Sequence, residues 1–217
     1  MRRLLLIIVV ATLVFVKADA QRRLTEATIT YAIKFDGESN PMLDELLKGT
    51  SSVVYLKGQS SRSDMISPLG SQSTIIDGKT GGAVLLKDFG GQKYMIRMTP
   101  DNWKEMNSSF NNLTYSLKPE TKNILGHICK KAIVALSGKE SVEVYYTEDI
   151  IPTNKDFQYL NKNLPGLVME YQAKMGNIAV TYSIKDINFN PVPQVKFDLP
   201  TSGYRVMTYD ESKKMGK

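Results

Sequence analysis

From residue 26 to 35 the chain alternates: Ile29, Tyr31, Ile33 and Phe35 share one parity, and Thr28, Thr30 and Lys34 the other. A side-chain period of two marks a strand with one buried face. The pattern recurs at 53–57, 62–66, 73–76, 83–88 and 93–98. It returns at 113–117, 128–136, 142–148, 167–174 and 179–186, and a last extended stretch covers 204–209. The connections are turn chemistry: Asp77-Gly78, Gly90-Gly91, Ser137-Gly138-Lys139 and Met175-Gly176-Asn177. Such short links tolerate positive φ and join antiparallel neighbours.

Helical signals are few. Asn40 is placed to cap 41–48, with Met42, Leu43, Leu46 and Leu47 as its apolar side and Gly49 as its stop. Thr99 is placed to cap 100–106, and Thr153 to cap 154–161, where Phe157 and Leu160 share a face. The fold class expected is mainly β (α+β): a single curved antiparallel sheet, or half-barrel. Two or three short helices cover its concave side. So few helices leave a wide curve under-covered, which predicts an apolar cavity between the two layers.

The first 20 residues read differently. Arg2 and Arg3 precede a run from Leu4 to Val16 broken only by Thr12, and Ala18-Asp19-Ala20 follows. This is the layout of a cleavable secretory signal, with the cut between Ala20 and Gln21. The run is short of the about 20 apolar residues a spanning helix needs. The expectation is a periplasmic or secreted chain of 197 residues without a lipid anchor or a membrane span. No repeat or Pro-, Gly- or Ser-rich linker divides residues 21–217, so they are read as one domain. With the signal removed, 25 basic and 21 acidic residues remain, scattered singly. That excludes the concentrated basic face of a nucleic-acid binder.

Catalytic chemistry is poorly served. Cys129 is the one cysteine and His127 the one histidine. No internal disulfide can form, and zinc lacks its three or four ligands. On a strand the two residues share a face, about 7 Å apart at Cα. That is loose for a nucleophile and its base, and Cys129 reads as a small buried hydrophobe. Asp77-Gly78-Lys79-Thr80 ends like a phosphate loop, but Ser73 stands where its first glycine belongs and a strand follows. It reads as a hairpin. Asn107 and Asn112 begin Asn-x-Ser/Thr triplets, which carry no function by themselves. No catalytic residue, metal or cofactor is expected.

Methionine and tyrosine say more. Nine methionines and eleven tyrosines follow the signal, and methionine suits adaptable apolar surfaces. Tyr31, Met95, Met169, Tyr171 and Tyr182 are the candidate lining residues of the cavity, chosen by strand parity and size.

Three segments carry a resemblance. Asn163-Leu164-Pro165-Gly166-Leu167-Val168-Met169-Glu170-Tyr171 resembles the Leu-Pro-Gly-Leu core of exported bacterial GLPGLI-type proteins and the related domain of unknown function 4412. The run from Thr121 to Ala132 is similar to that family's Lys-x-Ile-x-Gly-x-x-Cys-Lys-Lys-Ala strand, and the run from Phe197 to Tyr204 to its closing segment. Asn163 stands where the first glycine of the name motif would be. The resemblance implies a relative of the periplasmic lipoprotein-carrier (LolA-like) half-barrel. It carries over no catalytic residue. Pro165-Gly166 also has a purely architectural reading, as a sharp lead into the next strand.

Two functions follow as expectations. The first is a non-enzymatic binding module whose partner is an apolar, lipid-like ligand or a lipoprotein. The second is a structural or interaction protein of the bacterial envelope, with a filled core and an envelope protein as partner.

Overall fold

The computed structural model describes residues 21–36, 41–111, 113–136, 140–175 and 178–215. The signal reading (residues 1–20, Ala20 included), the Asn40 cap, Asn112, the 137–139 turn and residues 176–177 lie outside them.

The chain is mostly β. Its strands are β1 (Arg22–Leu24), β2 (Glu26–Phe35), β3 (Ser51–Lys57), β4 (Ser60–Ser67), β5 (Gly70–Ile76), β6 (Ala83–Phe89) and β7 (Gln92–Met98). β8 (Thr114–Ile124), β9 (His127–Ala135), β10 (Ser141–Thr147), β11 (Ile150–Pro152), β12 (Leu167–Met175), β13 (Ile178–Asn188) and β14 (Arg205–Thr208) follow. Three short helices accompany them: α1 (Pro41–Lys48), α2 (Pro100–Met106) and α3 (Tyr209–Met215). Twelve strands make one open sheet in the order β14-β7-β6-β5-β4-β3-β2-β13-β12-β10-β9-β8. Every pairing in it is antiparallel except β14 with β7, which is parallel. The sheet is thus two meanders, β2–β7 and β8–β10 continued by β12 and β13, joined where β2 pairs with β13 and edged by β14. β1 and β11 form a separate two-stranded parallel ribbon.

The expected strands all form, several of them longer than the alternation indicated. α1 and α2 form where expected. Thr99 caps α2 through a reciprocal pair: Asn102 N–H donates to Thr99 Oγ1 at 3.2 Å, and Thr99 N–H to Asn102 Oδ1 at 3.1 Å. The third helical signal yields a 3-10 turn at Asp156–Asn161, with no side-chain cap from Thr153. Instead Asn154 Oδ1 accepts from Asp156 N–H at 2.7 Å. The end of the expected strand at 204–209 turns into α3.

Register sorts side chains into two faces. Ile29, Tyr31, Val54, Leu56, Ile76, Leu85, Ile96 and Met98 share the inner face, under α2 and the 3-10 turn. Main-core residues Ile29, Val180 and Ile184 are buried, and Trp103 of α2 packs against a second cluster that holds Ile76, Leu85 and Ile96. The outer face carries Tyr55, Arg62, Ile75, Leu86 and Met95. The 190–204 segment crosses it as a belt. Glu26 Oε1 accepts from Lys57 Nζ and from Val192 N–H, and Arg62 Nη1 donates to Lys196 O. Lys196 Nζ sits 4.8 Å from the centre of the Tyr55 ring.

Three register shifts interrupt the alternation, one in β8 between Leu117 and Thr121 and two at single-residue bulges. Tyr145 pairs with Glu170 and Tyr146 with Val168, which leaves Met169 without a partner. One extra residue turns those after it by half a period. Val168 and Tyr171 therefore face the same way. Between β2 and β13, Lys185 is skipped in the same manner.

Candidate functional site

An open cleft of about 320 Å³ lies between the inner face and the covering elements α2 and Asp156–Asn161. Tyr31, Tyr171 and Tyr182 form one of its walls. Tyr171 and Tyr182 stack with centroids 5.0 Å apart and planes 4° apart. Tyr31 stands edge-on to both, at 6.0 and 6.5 Å. The cross-strand pairing of Tyr171 with Tyr182 sets up this stack. The opposite wall holds Trp103 and Tyr159, whose rings meet edge to face at 6.0 Å.

The floor is polar. Ser52, Ser63, Gln72 and Thr74 come from the inner face of β3–β5, and Asn107, Gln158 and Asn161 from the cover. These polar side chains are set into an otherwise largely apolar lining: β3–β5 spend inner positions on small hydroxyl and amide side chains. Asp64, ion-paired with Arg62 at 2.6 Å, and Asp156 line the cleft, and among the described residues no lysine or arginine does.

Several polar atoms here lack partners. Tyr182 Oη donates to Met65 Sδ at 3.8 Å. The Tyr31 and Tyr171 hydroxyls have no hydrogen bond among the described residues. Burial pushes the pKa of Tyr31 upward, and that of Tyr171 well above its usual value, with Tyr31 and Tyr182 adding to the latter. Both phenols therefore stay protonated, and each keeps an O–H to donate. Among the described residues, Trp103 Nε1 and Asn161 Oδ1 are buried without a partner. Buried polar atoms are nearly always paired, so such a cluster is informative.

The sequence-chosen residues divide. Tyr31, Tyr171 and Tyr182 come together in the cleft. Met95 does not line it: Tyr94 and Ile96 take the inner positions of β7, and Met95 packs outside with Ile75 and Leu86. Met169 is fully buried in the main core as the bulge residue, and Val168 takes the place by the cleft. Trp103, the only tryptophan, and Asn161 were missed. Their one signal was position, on the capped helix and in the Phe157–Leu160 segment.

The remaining sequence candidates are structural. Cys129 is fully buried, and burial pushes its thiol up to about 11. His127 Nδ1 lies 2.9 Å from Asp149 Oδ2, while the Cys129 thiol donates to the His127 carbonyl at 3.5 Å. The imidazole is thus engaged with a carboxylate and not with the sulfur. Asn107 is nearly buried, its Nδ2 donating to Trp103 O at 2.8 Å. Asp77-Gly78-Lys79-Thr80 is the β5–β6 turn, as expected. Among the described residues no three His, Cys, Asp or Glu side chains could hold a metal ion, and no helix is long and apolar enough to cross a membrane.

Solved structures share this architecture. PNGF-II, in one of its crystal forms, superposes with a TM-score of 0.53 at 15% identity, over 88% of this chain. This chain spans about a third, 33%, of PNGF-II. An uncharacterized conserved protein from Thermus thermophilus gives 0.51 at 9% identity, covering 85% of this chain and 90% of that one. These likenesses are of fold. No curated protein matches the chain. The family described as N-glycanase peptide, N-terminal domain matches residues 96–210, a stretch that includes Trp103, Tyr171 and Tyr182 but not Tyr31. It is a different family from the GLPGLI-type proteins that three motifs resemble. The chain belongs to the N-glycanase peptide, N-terminal domain family.

Proposed function

We propose that this chain is an exported, non-catalytic binding module of the cell envelope, whose inner cleft takes an uncharged amphipathic ligand of lipid-like character. The carrying observation is the meeting of an aromatic wall with unpaired polar atoms in one open cleft. Sites for small ligands combine apolar and aromatic walls with a few convergent polar groups. The apolar part of the ligand lies on the stacked tyrosines. Its hydroxyl or amide groups reach the Tyr31 and Tyr171 hydroxyls and the Gln72 and Asn161 side chains. Of the two lining carboxylates Asp64 is paired with Arg62, while Asp156 has no ion-pair partner among the described residues and disfavours an anionic ligand. A volume of about 320 Å³ suits a head group with a short segment of chain.

The single tryptophan stands in the wall and reports occupancy directly. A monoacylglycerol titrated into the protein should shift Trp103 emission saturably. Tyr171→Ala, which removes one face of the stack, should weaken that binding about tenfold. Protein purified from its own compartment should release a neutral amphiphile on solvent extraction. Emission that never saturates, together with an empty extract, would remove this reading and leave the envelope-interaction role.

A further inference from the structure

On the outer face a second, larger cleft of about 480 Å³ opens between the β5–β6 turn and the belt segment Gln194–Phe197. Its lining includes the apolar side chains Ile75, Val84, Phe197 and Leu199. Lys79 and Arg97 line it as well, and both are exposed. Neither forms an ion pair with any carboxylate among the described residues. Arg97 has only a soft contact, Nη2 to Met95 Sδ at 4.0 Å. Asp77 is the one carboxylate of the lining, and the turn consumes it. Lys79 N–H donates to its Oδ1 at 2.8 Å and Thr80 Oγ1 to its Oδ2 at 3.0 Å. Two cations without an ion-pair partner among the described residues therefore stand beside an apolar pocket, unlike the inner cleft, whose described lining holds no lysine or arginine.

We propose that the outer cleft is a second binding site, independent of the inner one, for an alkyl chain that ends in a carboxylate or a phosphate. The chain lies along Val84, Phe197 and Leu199, and the head group pairs with Lys79 and the planar fork of Arg97. Guanidinium groups suit both head groups, which they hold through two parallel hydrogen bonds.

Octanoate, decanoate and decyl phosphate, titrated calorimetrically into the full chain, test this. Each methylene placed in the cleft should tighten binding about fourfold, so decanoate should bind about fifteenfold more tightly than octanoate. The double variant Lys79→Gln, Arg97→Gln should weaken decanoate at least tenfold, and neutral decanol should bind the wild type no better than decanoate binds that variant. Both side chains are exposed, and an unchanged melting temperature confirms that the variant is folded. Tyr171→Ala should leave decanoate binding unaltered even where it abolishes monoacylglycerol binding, so the two sites stand or fall separately. Decyl phosphate binding with the same dependence on Lys79 and Arg97 also supports the site and names the tighter head group by comparison. Equal affinity in the wild type and the double variant, loss of decanoate binding in Tyr171→Ala, or no saturable binding of either anion would overturn it.

Discussion

Replacing Gly166 with alanine should unfasten the strand that builds the inner cleft. A Cβ at this position would lie 1.8 Å from Thr147 O, 2.7 Å from Thr147 C and 3.2 Å from Glu148 Cα. To reach the 3.4 Å at which ordinary contact begins, carbonyl and methyl must part by about 1.6 Å. Thr147 is fully buried and pairs with Leu167, the next residue, so the retreat cannot be local. It strains the β10–β12 ladder at the bulge, along with the two bonds Gln158 makes to Gly166 O and Val168 N–H. Overpacking typically costs about 1–3 kcal/mol, and a lost hydrogen bond adds about 1. The sum is about 2–4 kcal/mol, which for a chain this long lowers the melting temperature by about 4–16 °C. Gly58 is the control: its φ is +61° and nothing lies within 4 Å of its missing Cβ. Gly58→Ala should cost only the left-handed backbone, about 1 kcal/mol. Urea unfolding followed by Trp103 emission and by circular dichroism measures both. If Gly166→Ala loses no more than Gly58→Ala, the close approach is not what requires glycine, and the architectural account of Pro165-Gly166 fails.

Three more outcomes are expected. Leu125 is half exposed with φ of 51° in the β8–β9 turn, so Leu125→Asn should raise the urea midpoint by the equivalent of about 1 kcal/mol; an unchanged midpoint would show that this backbone carries no strain. The Cys129 thiol, buried and raised to about 11, should ignore a thiol reagent at neutral pH until denaturant is added, and prompt labelling of the folded protein would contradict its burial. Glu26 is held below its ordinary 4.5 by its bonds to Lys57 and the Val192 amide, so its contribution is present above that value and fades as pH falls through the lowered one. Glu26→Gln should therefore be the less stable protein at neutral pH, with the difference vanishing as pH falls through that lowered value, and a difference that persists once the carboxyl is fully protonated would assign the effect elsewhere.

The alternation made the strands legible, because every face with a core behind it must repeat every two residues. The same rule misled at β12. Parity puts Met169 with Tyr171, but a bulge exchanges Met169 for Val168, and no residue type announces that. Parity also separates Met95 from Tyr94 without saying which of them looks inward. The β1–β11 ribbon was invisible because three-residue strands carry no period. The wall of Tyr31, Tyr171 and Tyr182 was readable from tyrosines on paired strands, and the facing pair Trp103 and Tyr159 was not. The polar half of the cleft was not readable either, since Ser52, Ser63, Gln72 and Thr74 look like solvent-facing positions until a helix is laid over them.

The seam between β2 and β13 has a consequence for how the chain reaches this state. Residues 26–35 meet partners about 150 positions later, while every other long pairing of the sheet, apart from β14 with β7, joins near neighbours. Loop closure of that length is slow, and local hairpins form first. Each meander should therefore assemble by itself and wait, with Ile29, Tyr31, Val180 and Ile184 still wet along two unmatched edges. Final zippering then becomes the late step, and during that interval the molecule is most open to pairing with a second copy of itself.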